Sequence, residues 1–195
     1  KVDVDANPNL ALRFSVHTVP TVMAFSQGKR VSDFAGLIPE PKIREFLLRI
    51  LPPRPSDLLA QKGNSLFADG DVAGAQEAYR QGLDLDPAHP LSLLGSIKVD
   101  LMQGRSSEAL HTFMAFPACQ EYNEAEKLLP LIKVMEDFRA RRLPAESDLD
   151  AAFENTIRLA SRGNILAAID GLLDILRQDK KYRKDRARNV LLGLL

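Results

Sequence analysis

The chain has 195 residues, 45% of them hydrophobic and 27% charged, and its 26 basic and 26 acidic side chains cancel to a net charge of zero. That length suits one ordinary domain or two small ones with apolar cores. The single cysteine excludes a disulfide framework or a cysteine-rich zinc site and fits a reducing compartment, while the charge balance argues against general nucleic-acid binding. Lys1 to Asp5 alternates, with Val2 and Val4 on one side, and predicts a strand end. Asn7-Pro8 opens a short helix through about Phe14, since Asn caps well and Pro suits a first turn. Thr21 to Phe25 and Val31 to Phe34 flank the turn Ser26-Gln27-Gly28-Lys29 and read as a hairpin. Pro39 to Ile50 places Ile43, Phe46, Leu47 and Ile50 at helical spacing. The longest uncharged stretch, Phe14 to Gly28, carries His17, Thr18, Pro20 and Gln27 and is too short and polar to cross a bilayer. The first residues do not read as a secretory signal.

Leu51-Pro-Pro-Arg-Pro55 then holds three of the twelve prolines. Proline removes donors and restricts its predecessor, so 52–55 is expected to be a stiff linker between residues 1–51 and 56–195. Beyond it strand signals stop. Helices are expected at about 55–69, 72–85, 89–103, 106–115, 121–141, 147–162, 165–178 and 181–194.

Gly70, Ala75 and Tyr79 are followed 34 residues later by Gly104, Ala109 and Phe113. Gly163, Ala168 and Leu172 repeat the same internal spacing after an extra 25 residues, enough for one inserted helix near 121–141. Gly permits a tight turn between paired helices, Ala lets them approach, and the larger residue fills the gap to the next pair. A period of 34 with this pattern is the signature of tetratricopeptide repeats, whose stacked helix pairs present a concave binding surface.

Chemistry-bearing constellations are sparse. Cys119 has no resolving partner and reads as a structural thiol. His17, His89 and His111 have no acidic partner at ligand spacing, so no metal is expected, and no phosphate loop, nucleophile elbow or paired catalytic carboxylate implies a catalytic residue or cofactor. A carboxylate clamp for acidic tails needs Lys and Asn four residues apart on a first helix. Asn64 is in place, but Ala60 stands at the Lys position and Gly95 at the second Asn position, so clamp-type binding is not expected. The repeat groove, with Asn64 and Phe67, is expected to offer apolar and amide contacts to an unfolded segment or a helix. Residues 177–188 carry seven basic and two acidic side chains, net +5. That run fits a solvated face, an acidic protein partner or, least well, nucleic acid, since no aromatic motif accompanies it.

Residues 1 to about 51 resemble the second half of a thioredoxin domain, through Lys1-Val-Asp-Val-Asp5, Asn7-Pro-Asn-Leu-Ala11, Phe14-Ser-Val-His-Thr-Val-Pro-Thr21, Phe25-Ser-Gln-Gly-Lys29 and Phe34-Ala-Gly-Leu37. The resemblance implies a cis Pro20 and a substrate-binding loop of Thr18, Val19 and Pro20, with Val19 offering backbone hydrogen bonds to an extended chain. The redox half and its C-x-x-C motif are missing, so the chain is expected to be a fragment whose hairpin has an open edge. A thioredoxin-like unit, a proline linker and tetratricopeptide-like helices together resemble the YbbN-type thioredoxin-like co-chaperones, or chaperedoxins. That resemblance implies an α/β plus all-α chain acting as a cytoplasmic holdase. Its partners would be non-native proteins, which it passes to the chaperonin and Hsp70 machinery, with no membrane or nucleic acid involved and no reaction catalysed. Two alternatives stay open: a thiol-disulfide oxidoreductase whose active half is absent, and an assembly scaffold.

Overall fold

A computed structural model describes all of residues 1–195. The chain is mostly helical, with ten helices and one two-stranded sheet. It divides into two compact units, Lys1–Pro53 and Arg54–Leu195. No helix is long and apolar enough to cross a membrane.

The first unit contains α1 (Pro8–Arg13), β1 (Thr21–Ser26), β2 (Lys29–Ala35) and α2 (Glu40–Ile50). The strands pair antiparallel from Thr21↔Ala35 to Ser26↔Lys29, with an irregularity between Ala24 and Phe25. Gln27 and Gly28 both take positive φ, +49° and +77°, which matches the right-handed twist of a two-residue hairpin loop. The strand expected over Lys1–Asp5 does not form. No third strand offers it hydrogen bonds. Instead the Asp3 carboxylate accepts from the Asp5 and Ala6 N–H groups and turns the chain, and Asn7 donates its amide to the Asp3 carbonyl rather than capping α1. The unit's core is thin. Phe46 is its one buried apolar side chain, edge-on to Phe34 at 5.0 Å, while Ile43 and Leu47 stay exposed.

The second unit stacks α3 (Pro55–Ala68), α4 (Val72–Leu85), α5 (Pro90–Met102), α6 (Ser106–Met114), α7 (Tyr122–Arg139), α8 (Asp148–Ala160), α9 (Ile165–Gln178) and α10 (Tyr182–Leu194). Pro55 is the first residue of α3 and Arg54 its N-cap, so the extended stretch is shorter than the 52–55 read from the prolines. One apolar core runs from Leu93 and Ile97 through Phe113, Ile132 and Phe153 to Val190. The turns α5–α6 and α8–α9 meet directly. A Cβ on Gly104 (φ +71°) would lie 2.3 Å from the Ser161 carbonyl oxygen, and one on Gly163 (φ +76°) 2.9 Å from that of Met102. Only glycine satisfies both the left-handed backbone and the contact. α7 therefore adds a helix without separating the second glycine turn from the third.

Repeat equivalence extends beyond the glycines. Asp57 and Asp150 each stand thirteen residues before a turn glycine, Gly70 and Gly163, at the third position of α3 and α8. Each accepts a hydrogen bond from a side chain 32 residues later, at the boundary of the helix that opens the following pair. Asp57 takes His89 Nε2 at 2.8 Å and Asp150 takes the Tyr182 hydroxyl at 2.6 Å. α10 thus stands to α8–α9 as α5 stands to α3–α4. It differs at its start, where Arg183, Lys184 and Asp185 have φ of +48°, +59° and +64°, a left-handed turn inside the helix expected over 181–194.

Candidate functional site

Two open, mainly apolar concavities stand out, one in each unit. The first, about 560 Å³, is lined by Val4, Leu10, Phe14, Val19, Pro20 and Phe25 among others. The Val19–Pro20 peptide is cis, Val19 is 69% exposed, and no hydrogen bond within the chain engages its N–H or C=O. The loop is fixed from both sides, because the Pro20 carbonyl accepts from Gly36 N–H at 2.7 Å and the Thr18 carbonyl from the Thr21 hydroxyl. Thr18 itself does not line the concavity. β1 is hydrogen-bonded on one side only, so its other edge leaves backbone donors and acceptors free beside this concavity. Val2, Val22 and Phe25 add exposed apolar surface around it.

The second concavity, about 480 Å³, lies between the ends of α3, α5 and α10 and the first half of α7. Phe67, Val72, Leu101, Leu128 and Leu194 give it apolar walls, and Lys98 brings a cation. Lys127 is held by Glu124 at 2.6 Å. Of the two groove residues expected from the sequence, Phe67 lines this concavity and Asn64 does not. The Asn64 Oδ1 accepts from the Tyr79 hydroxyl at 2.7 Å, which orients the amide toward α4.

Sequence reasoning also left out two buried polar networks. His89, read as lacking an acidic partner, is 1% exposed and bridges two groups. Its Nδ1 accepts from Ser92 N–H at 3.3 Å, which assigns the proton to Nε2 and makes Nε2 the donor to Asp57. With the Ser92 hydroxyl 2.9 Å from Nδ1, the chain Ser92–His89–Asp57 has the residue order of a hydrolase triad but with the two ring nitrogens exchanged. Ser92 is fully buried and neither concavity reaches it, so the arrangement ties α3 to α5. Arg54, bonded to Asp57 at 3.0 Å, is the main reason that carboxyl falls to about 2. At the other end the buried Asp150 accepts from Tyr182, from Arg183 at 2.8 Å, and from the backbone of Glu146. Arg183 foremost and Tyr182 next hold its carboxyl far below the usual range, while burial and this same bond push the Tyr182 phenol up. A sequence signal existed for both, in the shared offset from the turn glycines. Cys119 is half-buried against the main core, and no three metal-ligating side chains gather anywhere.

Comparison with known proteins is consistent with two parts. The tetratricopeptide repeat family matches residues 132–195, from within α7 to the end of α10. Repeats of this kind are protein-binding scaffolds. Residues at the front are similar to thioredoxins. Mitochondrial thioredoxin of Bos taurus is 39% identical over 51 residues, 26% of this chain and 31% of its own length, and thioredoxin of Griffithsia pacifica is 40% identical over 40 residues, 20% of this chain and 37% of its own. An uncharacterised protein of Mycobacterium tuberculosis is 25% identical over 215 residues, 99% of this chain. The chain spans 60% of the length of that relative.

Proposed function

We propose that the chain is a protein-binding module of thioredoxin–tetratricopeptide type that holds non-native proteins, in the manner of the chaperedoxin co-chaperones it resembles. The observation that carries this reading is the concavity beside Val19–Pro20. It combines exposed apolar side chains with an unpaired β1 edge and a free Val19 backbone. Those are the two things an unfolded segment offers in return: apolar residues and unsatisfied backbone groups. The binding is sequence-tolerant because backbone hydrogen bonds carry no side-chain information. Passage of the client to chaperonin or Hsp70 machinery, and a cytoplasmic setting, belong to the same proposal and rest on the resemblance.

Light scattering from a heat-denatured client, with the chain at stoichiometric ratio, tests it. Suppression of aggregation is expected. Scattering equal to that with an inert protein would sink the holdase reading and leave the scaffold.

The reductase alternative needs a second thiol, and the one cysteine, Cys119, lies outside the thioredoxin-like unit. A C-x-x-C motif upstream in the parent reading frame, with insulin reduction by that parent protein, would favour it.

A further inference from the structure

The basic run 177–188 divides, in the structure, into cations that hold the fold and cations that do not. Arg177 pairs with Asp174, Arg183 with Glu146 and Asp150, and Arg186 with Asp137. Lys180, Lys181, Lys184 and Arg188 are exposed and make no ion pair. Asp179, the nearest acid to the first two, is turned onto the Lys181 N–H. α10 is tied to the end of α7, because Asp137 is gripped at once by Arg142 at 3.2 Å and Arg186 at 2.6 Å. Arg141, next to Arg142, is exposed with no partner. Five free cations therefore lie in two segments distant in sequence, at Arg141 and over 180–188, which the Arg186–Asp137 pair joins.

Their placement is fixed by the backbone. Four of the six non-glycine residues with positive φ lie here: Arg141, Arg183, Lys184 and Asp185. Left-handed backbone is costly for such residues and persists where surrounding contacts impose it. The Asp150 network supplies those contacts, through Tyr182 and Arg183. Lys180, Lys181 and Lys184 fall within five residues of one another, at the break between the two helices. The left-handed turn holds them at one corner, between α9 and α10.

We propose that this face binds an acidic polypeptide segment, rich in glutamate or aspartate. Charge complementarity favours an acid, and the local chemistry favours a polypeptide over a nucleic acid. Bases need exposed aromatic platforms, and the aromatic rings here, Tyr182 and Phe153, are buried under the cations. None of the five free cations lines either apolar concavity, so this inference and the holdase reading stand or fall independently.

A fluorescein-labelled oligoglutamate peptide, twelve residues long and titrated with the chain at low and at physiological salt, tests the proposal by anisotropy. Binding that weakens with salt is expected. Replacing the four cations together, as Lys180→Glu, Lys181→Glu, Lys184→Glu and Arg188→Glu, should weaken it by about tenfold or more, since each exposed pair contributes little alone. None of these side chains bonds within the fold, so the helical circular dichroism should be unchanged. The four corresponding Gln replacements, which add no repulsion, should lose a smaller part of the affinity. Lys42→Glu with Lys62→Glu, exposed cations outside the face, should leave it unchanged. Equal binding by the fourfold Glu variant would overturn the proposal. So would tighter binding of a twelve-residue thymidine oligonucleotide than of the peptide. Salt-sensitive self-association in sedimentation, abolished by the same variant, would assign the face to a second copy and overturn it too.

Discussion

Tyr79 gives the sharpest mechanical test of the first repeats. Its ring is 2% exposed and is pressed between two glycines, one on α3 and one on α5. A Cβ on Gly63 would lie 2.5 Å from Tyr79 Cε1, and one on Gly95 would lie 2.2 Å from Cζ. Ordinary carbon contacts sit near 3.5–4.0 Å, so each methyl overlaps the ring by roughly an ångström or more. The ring cannot swing aside, because its hydroxyl is anchored to Asn64 at 2.7 Å. In an exposed helix interior Gly→Ala stabilises by about 1 kcal/mol, whereas overpacking a core costs about 1–3 kcal/mol and can exceed that when nothing yields. Gly95→Ala should therefore destabilise by about 1–2 kcal/mol, with Gly63→Ala somewhat milder. In a Tyr79→Ala background the space is empty, and Gly95→Ala should turn stabilising. The sign reversal is the diagnostic, a coupling of about 2 kcal/mol or more between side chains in contact. Urea unfolding followed by far-UV circular dichroism reads it as midpoints, which avoids assuming one transition for two units. If Gly95→Ala raises the midpoint in the otherwise unaltered chain, the close approach of α5 to Tyr79 is wrong.

Other expectations follow from the same geometry. Gly70 and Gly104 both have positive φ, but a Cβ on Gly70 meets nothing within 4 Å. Gly70→Ala should cost only left-handed strain, about 1–2 kcal/mol, while Gly104→Ala should cost clearly more because it strikes the Ser161 backbone, a ranking that thermal melts can check. Asp57 has a folded pKa of about 2 against 3.8 unperturbed, so its contribution is full above about pH 4 and fades as pH falls toward 2. Asp57→Asn should be less stable at about pH 6 and should flatten that acid limb of the melting-temperature profile; an unchanged limb would count against the Arg54–Asp57–His89 network. Tyr182→Phe removes one buried hydrogen bond to Asp150 and should cost about 1 kcal/mol, with faster amide exchange confined to α10. Val19→Asp, on a side chain 69% exposed, should leave stability within about 0.5 kcal/mol yet abolish most client protection, whereas Leu166→Asp, 78% exposed on α9, should do neither.

Helix positions in the second unit were legible to within a residue or two, because they depend on local signals. Gly70, Gly104 and Gly163 fix the turns, and apolar spacing fixes the faces. What was not legible depends on partners distant in sequence. Lys1–Asp5 has strand-like alternation, but a strand needs a neighbour, and its turn is made by Asp3. Residues 183–185 have helical composition, and only the pull of Asp150 on Tyr182 and Arg183 accounts for their left-handed backbone. His89 looked isolated because its acid, Asp57, is almost one repeat upstream. Asn64 looked like a groove residue because the sequence does not announce that Tyr79 occupies its oxygen. The concavity at Val19–Pro20 was foreshadowed by the thioredoxin-like loop, but its walls, Val4 and Phe14 among them, come together only in the fold.

The central claim is that non-native chains dock on the β1 edge beside Val19–Pro20. Hydrogen exchange by mass spectrometry, on the chain alone and with a stoichiometric amount of a permanently unfolded client, reads that edge directly. Slowed exchange across Val16–Ser26, with peptides from α8 and α9 unchanged, is the predicted result. Client binding that leaves Val16–Ser26 exchanging as before, or that protects only the groove around Phe67 and Leu101, would contradict it.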